Sequence, residues 1–167
     1  MADFDIATLI LSEHEAFRRA FSELEQLTNA EELARRWTEL ADALEVHASG
    51  EEEVFYPELL QDVDDSEGDT KHAVKDHNKI RDAARAVADH EVGTDAWWDA
   101  FRAAREETVE HLEEEEHDVL PPFQDEVDED KRVEIGMRWL AFRDTHEGAK
   151  GLSGKKKDPE EYVEEKS

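Results

Sequence analysis

Four histidines and two glutamates in this chain recur at spacings that can hold metal ions. His47 is followed four residues later by Glu51, and His111 by Glu115. Four residues is about one helical turn, so on a helix each pair shares a face. The surrounding segments, HASGEEEVFYP and HLEEEEHDVLP, also share a second Glu at the next position and a Pro ten residues after the His. Two more histidines repeat in a context of their own, His-Glu-Ala-Phe-Arg-Arg-Ala at His14 and His-Asn-Lys-Ile-Arg-Asp-Ala at His77. His77 lies 63 residues after His14, while His111 and Glu115 lie 64 residues after His47 and Glu51. A bare His-x-x-x-Glu is common in so acidic a chain, and its bland reading is a salt-bridged helix face. The repeat in register is what singles out these six.

Four imidazoles and two carboxylates suit iron, manganese or zinc better than calcium or magnesium. Six protein ligands are too many for one tetrahedral ion and too few to saturate two octahedral ones. Two carboxylates bridging a metal pair, with two imidazoles on each ion, leave room for a solvent-derived bridge and for outside ligands. Two carboxylates and one oxide would offset four of the six positive charges of a diferric pair, which lowers the cost of burying it. Open positions on a redox-active pair imply chemistry with dioxygen, peroxide or nitric oxide.

Such a site needs helices to carry it, and the composition provides them. Seven glycines and four prolines punctuate long stretches rich in Ala, Leu, Glu and Arg, which predicts an all-α chain. The apolar spacing of Ile6, Leu9, Ile10, Phe17, Phe21, Leu24 and Leu27 predicts a first helix over 4–28. Asn29, with Glu32 three residues on, is a capping-box start for a second helix that carries Leu33, Trp37, Leu40, Leu44 and Val54 and weakens near Pro57. An acidic loop over 62–69 precedes a third helix, about 70–90, which stops near Gly93. Thr94 caps a fourth that reaches Pro121 and Pro122. A shorter fifth helix is expected over about 129–147, and the segment GAKGLSGKKKDPEEYVEEKS reads as a mobile tail with no role for its lysines. The predicted architecture is an up-down-up-down four-helix bundle over 1–125, an accessory helix over 126–148 and a disordered tail over 149–167. From His14 to Thr28 is about 21 Å of helix, and from Asn29 to His47 about 27 Å. The two histidines of each hairpin therefore reach about the same level, and two facing hairpins bring all six groups together.

The remaining composition narrows the function. With 167 residues the chain suits one core. A net charge of -27 excludes a general nucleic-acid binder and a protein of anionic membranes. The absence of cysteine excludes disulfides, iron–sulfur clusters, thiol catalysis and cysteine-ligated zinc. No apolar run approaches a membrane span, and MADFDIATLI lacks the basic start of a signal peptide, so a cytoplasmic protein is expected. No phosphate loop, nucleophile elbow or dinucleotide fingerprint is present.

The order His, His-x-x-x-Glu, His, His-x-x-x-Glu along four helices resembles the hemerythrin-like family, the HHE cation-binding domain, over about residues 4–125. The resemblance implies a four-helix bundle around two iron ions with an oxo or hydroxo bridge. It implies His14, His47, Glu51, His77, His111 and Glu115 as ligands, with Glu51 and Glu115 bridging. The oxygen carriers of the family are similar but add a fifth histidine one turn from the third-helix ligand, where this chain has Ala73 and Arg81. Their fourth-helix carboxylate is an aspartate five residues after the histidine, not a glutamate at four. These departures point away from reversible oxygen carriage and toward catalase-like disproportionation of hydrogen peroxide. The alternatives are a module that binds oxygen or nitric oxide or senses or stores iron, and a metal-free acidic scaffold.

Around this set, Arg18 and Arg81 are expected either to contact Glu51 or Glu115 or to form surface salt bridges. Tyr56 is the one tyrosine inside the bundle, a core residue or a hydrogen-bond partner of the cluster. His72, His90, His117 and His146 lack repeat partners and read as surface or packing residues. Trp37, Trp97, Trp98 and Trp139 sit at core spacing.

Overall fold

In the computed structural model, which describes residues 3–167, the chain is helix and loop with no strand among the described residues. Residues 1 and 2, the start of the expected 1–125 domain, lie outside them. Helix α1 (Ile6–Leu24) begins where the Asp5 side chain accepts from the Ala7 N–H at 2.9 Å. Helix α2 (Ala30–Gly50) starts as expected, with Asn29 accepting from the Glu32 N–H. It does not end near Pro57. It widens into a π turn over Glu51–Phe55 and resumes as α3 (Tyr56–Asp62). The second half repeats this device. Helix α4 (Glu67–Ala88) leads to α5 (Asp95–Glu114), capped by Thr94, then a π turn over Glu115–Val119 and α6 (Leu120–Glu126). In each half the wide turn starts at the glutamate of the motif and ends two residues before the proline. A proline has no N–H and presses on the preceding turn, and a wider turn accommodates it without breaking the rod.

The core is divided. One cluster contains Ile6, Ile10, Phe55, Leu59, Val74, Phe123, Ile135 and Trp139. The other contains Phe17, Phe21, Leu33, Trp37, Leu44, Trp97 and Phe101. In sequence, His14 falls between Ile10 and Phe17, and Glu51 between Leu44 and Phe55. The buried histidines and glutamates thus form a polar layer between two apolar ones. Burial in such a layer is costly for each polar group that finds no partner there.

Helix α7 (Glu129–Thr145), close to the expected fifth helix, packs on α1, α2 and the first π turn. Gly136 permits this seat, because a Cβ there would lie 1.6 Å from the Phe4 carbonyl oxygen. The expectation of a disordered tail is corrected. Asp158 caps a short helix, α8 (Pro159–Lys166), which buries Tyr162 and Val163. The strand of chain before it runs along α4, where Asn78 donates to the Lys157 carbonyl and accepts from its N–H. The Tyr162 hydroxyl donates to the Glu52 carbonyl at 2.5 Å. That carbonyl has no π-type partner of its own, since the residue five positions on is Pro57. No helix among the described residues is long and apolar enough to cross a membrane.

Candidate metal centre

The six repeated residues, carried by α1, α2, α4, α5 and the first residues of the two π turns, meet in the polar layer, and all are buried. The Nε2 atoms of the four imidazoles point inward. His14 Nε2 lies 3.2 Å from Glu115 Oε1, His47 Nε2 3.1 Å from Glu51 Oε1, and His77 Nε2 3.3 Å from the same oxygen. His111 Nε2 lies 3.9 Å from Glu51 and 3.8 Å from Glu115, and 3.2 Å from His77 Nε2. Each carboxylate therefore touches imidazoles of both hairpins, the arrangement a bridging group requires. Potential ligand atoms fall into two overlapping sets, one of His14, His47, Glu51 and Glu115 and one of Glu51, His77 and His111.

Every outward Nδ1 faces a carboxylate. His14 pairs with Glu116 at 2.7 Å, His47 with Glu13 at 3.0 Å, His77 with Glu52 at 2.7 Å and His111 with Asp76 at 3.4 Å. A carboxylate accepts the Nδ1 proton, which sets the ring orientation and leaves the Nε2 lone pair for a metal. Sequence reasoning missed these four residues, although the repeat encodes them. Glu13 and Asp76 immediately precede His14 and His77, and Glu52 and Glu116 immediately follow Glu51 and Glu115. The two arginines do not touch Glu51 or Glu115. Arg18 forks onto Glu116 with both contacts at 2.9 Å, and Arg81 spans Glu45 and Glu52. They hold the carboxylates that hold His14 and His77.

The halves differ in what covers them. On the first, Trp139 donates from its indole N–H to Glu13 at 2.6 Å, joined by Arg143 at 3.3 Å. Trp139 is thus core packing and a hydrogen-bond donor at once. Lys157 reaches Glu52 at 2.6 Å, so the lysine triplet supports the His77 side. Tyr56 donates to Glu115 Oε2 at 2.7 Å and lies 3.3 Å from His77 Nε2, which places it at the cluster as well as in the core. Its counterpart 64 residues on is Leu120, which has no hydroxyl to offer. His90 and His117 are exposed, as expected, whereas the exposed His72 pairs with Glu114 at 2.6 Å.

The charges packed into this layer act strongly on one another. Burial pulls the His111 imidazole down, but Asp76, Glu51 and Glu115 overcome it and push it up to about 10. His47 is raised likewise against its burial by Glu51 and Glu13. Burial pushes the Glu51 carboxyl up, yet His47 and His111 hold it well below the usual range. Even so, five buried atoms make no well-formed hydrogen bond, although His14 Nε2 lies 3.2 Å from Glu115 Oε1 and His47 Nε2 3.1 Å from Glu51 Oε1: these four and Glu51 Oε2. All five belong to the converging set, and lone pairs so poorly satisfied fit a divalent or trivalent cation.

Comparison with known proteins agrees. The family model of the hemerythrin HHE cation binding domain matches residues 5–123. No curated protein and no solved structure matched the chain.

Proposed function

Because the chain belongs to the hemerythrin HHE cation-binding family, we propose that it holds two iron ions and disproportionates hydrogen peroxide. The ligands on this reading are His14, His47, Glu51, His77, His111 and Glu115, on two hairpins read as an up-down-up-down four-helix bundle. The observation that carries it is the set of five buried atoms without a well-formed hydrogen bond at the meeting point of those six side chains. Two irons bound there would supply the redox change by which one peroxide is oxidised to dioxygen and a second is reduced to two waters.

The chain's own groups supply the rest. The two apolar clusters exclude bulk water from above and below the layer. The Nδ1 carboxylates keep the rings aimed. Tyr56 stays protonated, because burial and then the charges of Glu115 and Glu51 raise it well above 10. It therefore holds a proton 2.7 Å from Glu115 Oε2. Ala73 stands one turn before His77, one of the two positions, with Arg81, at which the extra histidine of an oxygen carrier is missing. It lines a narrow slot of about 20 Å³ that also reaches His111 and Glu115. The slot favours an open position over a filled one, and so supports turnover rather than reversible carriage. Its other walls carry Asp69, Asp76 and Asp118, which repel anions. Acidic surface charge and the absence of thiols suit a cytoplasmic setting.

Metal analysis of the purified protein should find about two irons per chain, and repeated additions of peroxide should each release half an equivalent of dioxygen. One metal or none overturns the two-iron reading. A single stoichiometric spectral change without dioxygen release would leave a gas-binding or iron-storing module in place of the enzyme.

A further inference from the structure

The two hairpins are related by the repeat, so each residue of one half has a counterpart in the other, and the mismatches are informative. On the first half, Ile6, Ile10 and Val54 share a core cluster with Ile135 and Trp139 of α7, and Trp139 lies against Gly50. The counterparts of Ile6, Leu9, Ile10, Gly50 and Val54 in the second half are Asp69, His72, Ala73, Glu114 and Asp118. No helix among the described residues is seated on them as α7 is on the first half. All five line the slot between α4 and α5, together with Asp76, His111 and Glu115. Where one half presents an apolar seat for a helix, the other presents carboxylates and an imidazole to solvent.

We propose that His72, Asp76 and Glu114 form a third cation site, a port at which divalent ions dock before passing to the buried layer. This rests on the two-metal reading above for its destination, though not for its existence. Ligand atoms of the three residues lie within 4.8 Å of one another. His72 Nε2 is 2.6 Å from Glu114 Oε2 and 3.4 Å from Asp76 Oδ2. The mixture of one imidazole and two carboxylates selects borderline first-row ions over calcium. Asp76 Oδ2 is also 3.4 Å from His111 Nδ1, so one carboxylate touches both the outer cluster and the inner one. At the inner end stands Glu115, 1% exposed, with an oxygen that makes no well-formed hydrogen bond. No lysine or arginine lines the slot, and about 20 Å³ admits a single small ion or water and no organic group. Five carboxylates along so small an opening draw cations inward.

Zinc alone serves as the probe, titrated into the full metal-free chain by calorimetry with a competing chelator. The wild type should bind two ions tightly and a third at least tenfold more weakly. The His72→Ala, Glu114→Gln double variant changes only exposed and half-buried side chains. It should lose the third ion, keep the two tight ones, and load them at least fivefold more slowly at limiting zinc. His72→Gln alone should give the same pattern, partially. Absence of a weaker third event in the wild type, its persistence in the double variant, or an unchanged loading rate overturns the port. The two-metal reading fails by a different sign, the loss of the tight events in the wild type.

Discussion

Glu52 is the carboxylate on which the most donors converge, and replacing it with glutamine isolates what they hold. Its Oε2 accepts from His77 Nδ1 at 2.7 Å and from Arg81 at 3.2 Å. Its Oε1 accepts from Arg81 at 3.0 Å and Lys157 at 2.6 Å. The Glu52→Gln variant keeps the shape but turns one acceptor into an NH2 that faces donors, and it deletes a buried negative charge. Breaking a buried charged network in this way costs about 3–5 kcal/mol. At about 2.1 cal/mol/K per residue, 167 residues unfold with an entropy of about 0.35 kcal/mol/K, so the metal-free midpoint should fall by about 9–14 °C. Arg81 keeps Glu45 at 2.8 Å, which favours the lower end. Loss of the carboxylate behind a ligating histidine weakens metal binding about 10–100-fold, or about 1.4–2.7 kcal/mol. Only one of two binding steps should weaken, because His14 and His47 keep Glu116 and Glu13. Scanning calorimetry of the metal-free protein and a chelator competition with zinc measure both effects. A variant that melts at the wild-type temperature and binds both ions as tightly refutes the role given to Glu52.

Further expectations test other contacts. The Tyr56→Phe change removes the one hydroxyl on Glu115 Oε2 and should cost about 1.5–3 kcal/mol, read as a melting shift of about 4–9 °C; no shift would mean the hydroxyl carries nothing. Gly136→Ala forces the Phe4 carbonyl away and should destabilise by at least about 1–3 kcal/mol while weakening metal binding at His47, because α7 carries Trp139; an unchanged zinc affinity would separate α7 from the site. The metal-free protein should lose stability as pH rises from 6.5 toward about 10. His111 has its folded value raised to about 10, so its contribution is complete below 6.5 and gone above 10. Glu51 is depressed and acts oppositely, its contribution being lost as pH falls below about 4.5. Zinc affinity should rise over the alkaline interval, since binding displaces the imidazole protons, and a flat profile would contradict the raised His111.

The six converging residues were legible because a helix turns a four-residue spacing into a shared face and because the repeat removed coincidence. The four carboxylates behind the histidines follow the same offsets, but in a chain with 47 acidic residues nothing marks Glu13 or Asp76 until the contact is seen. The π turns were hidden for another reason. Prolines in a helical pattern normally signal an end, and only tertiary packing around Phe55 and Val119 keeps the rods continuous. Helix α8 has two buried apolar side chains and no period to detect, yet Asp158 followed by Pro159 is a start signal of the usual kind. Its stability comes from Tyr162 and from the ladder of contacts to α4, which no local pattern records.

The bracing of Glu52 by Lys157 and Tyr162 has a consequence for biosynthesis. A ribosome makes the chain from its N-terminus, so all six imidazole and carboxyl groups are synthesised 40 or so codons before the segment that steadies one of them. A nascent bundle can close around its two apolar clusters while His77 is still supported by Glu52 and Arg81 alone. A metal ion captured at that stage would sit in a looser half-site, and the final grip belongs to a segment translated after all six groups.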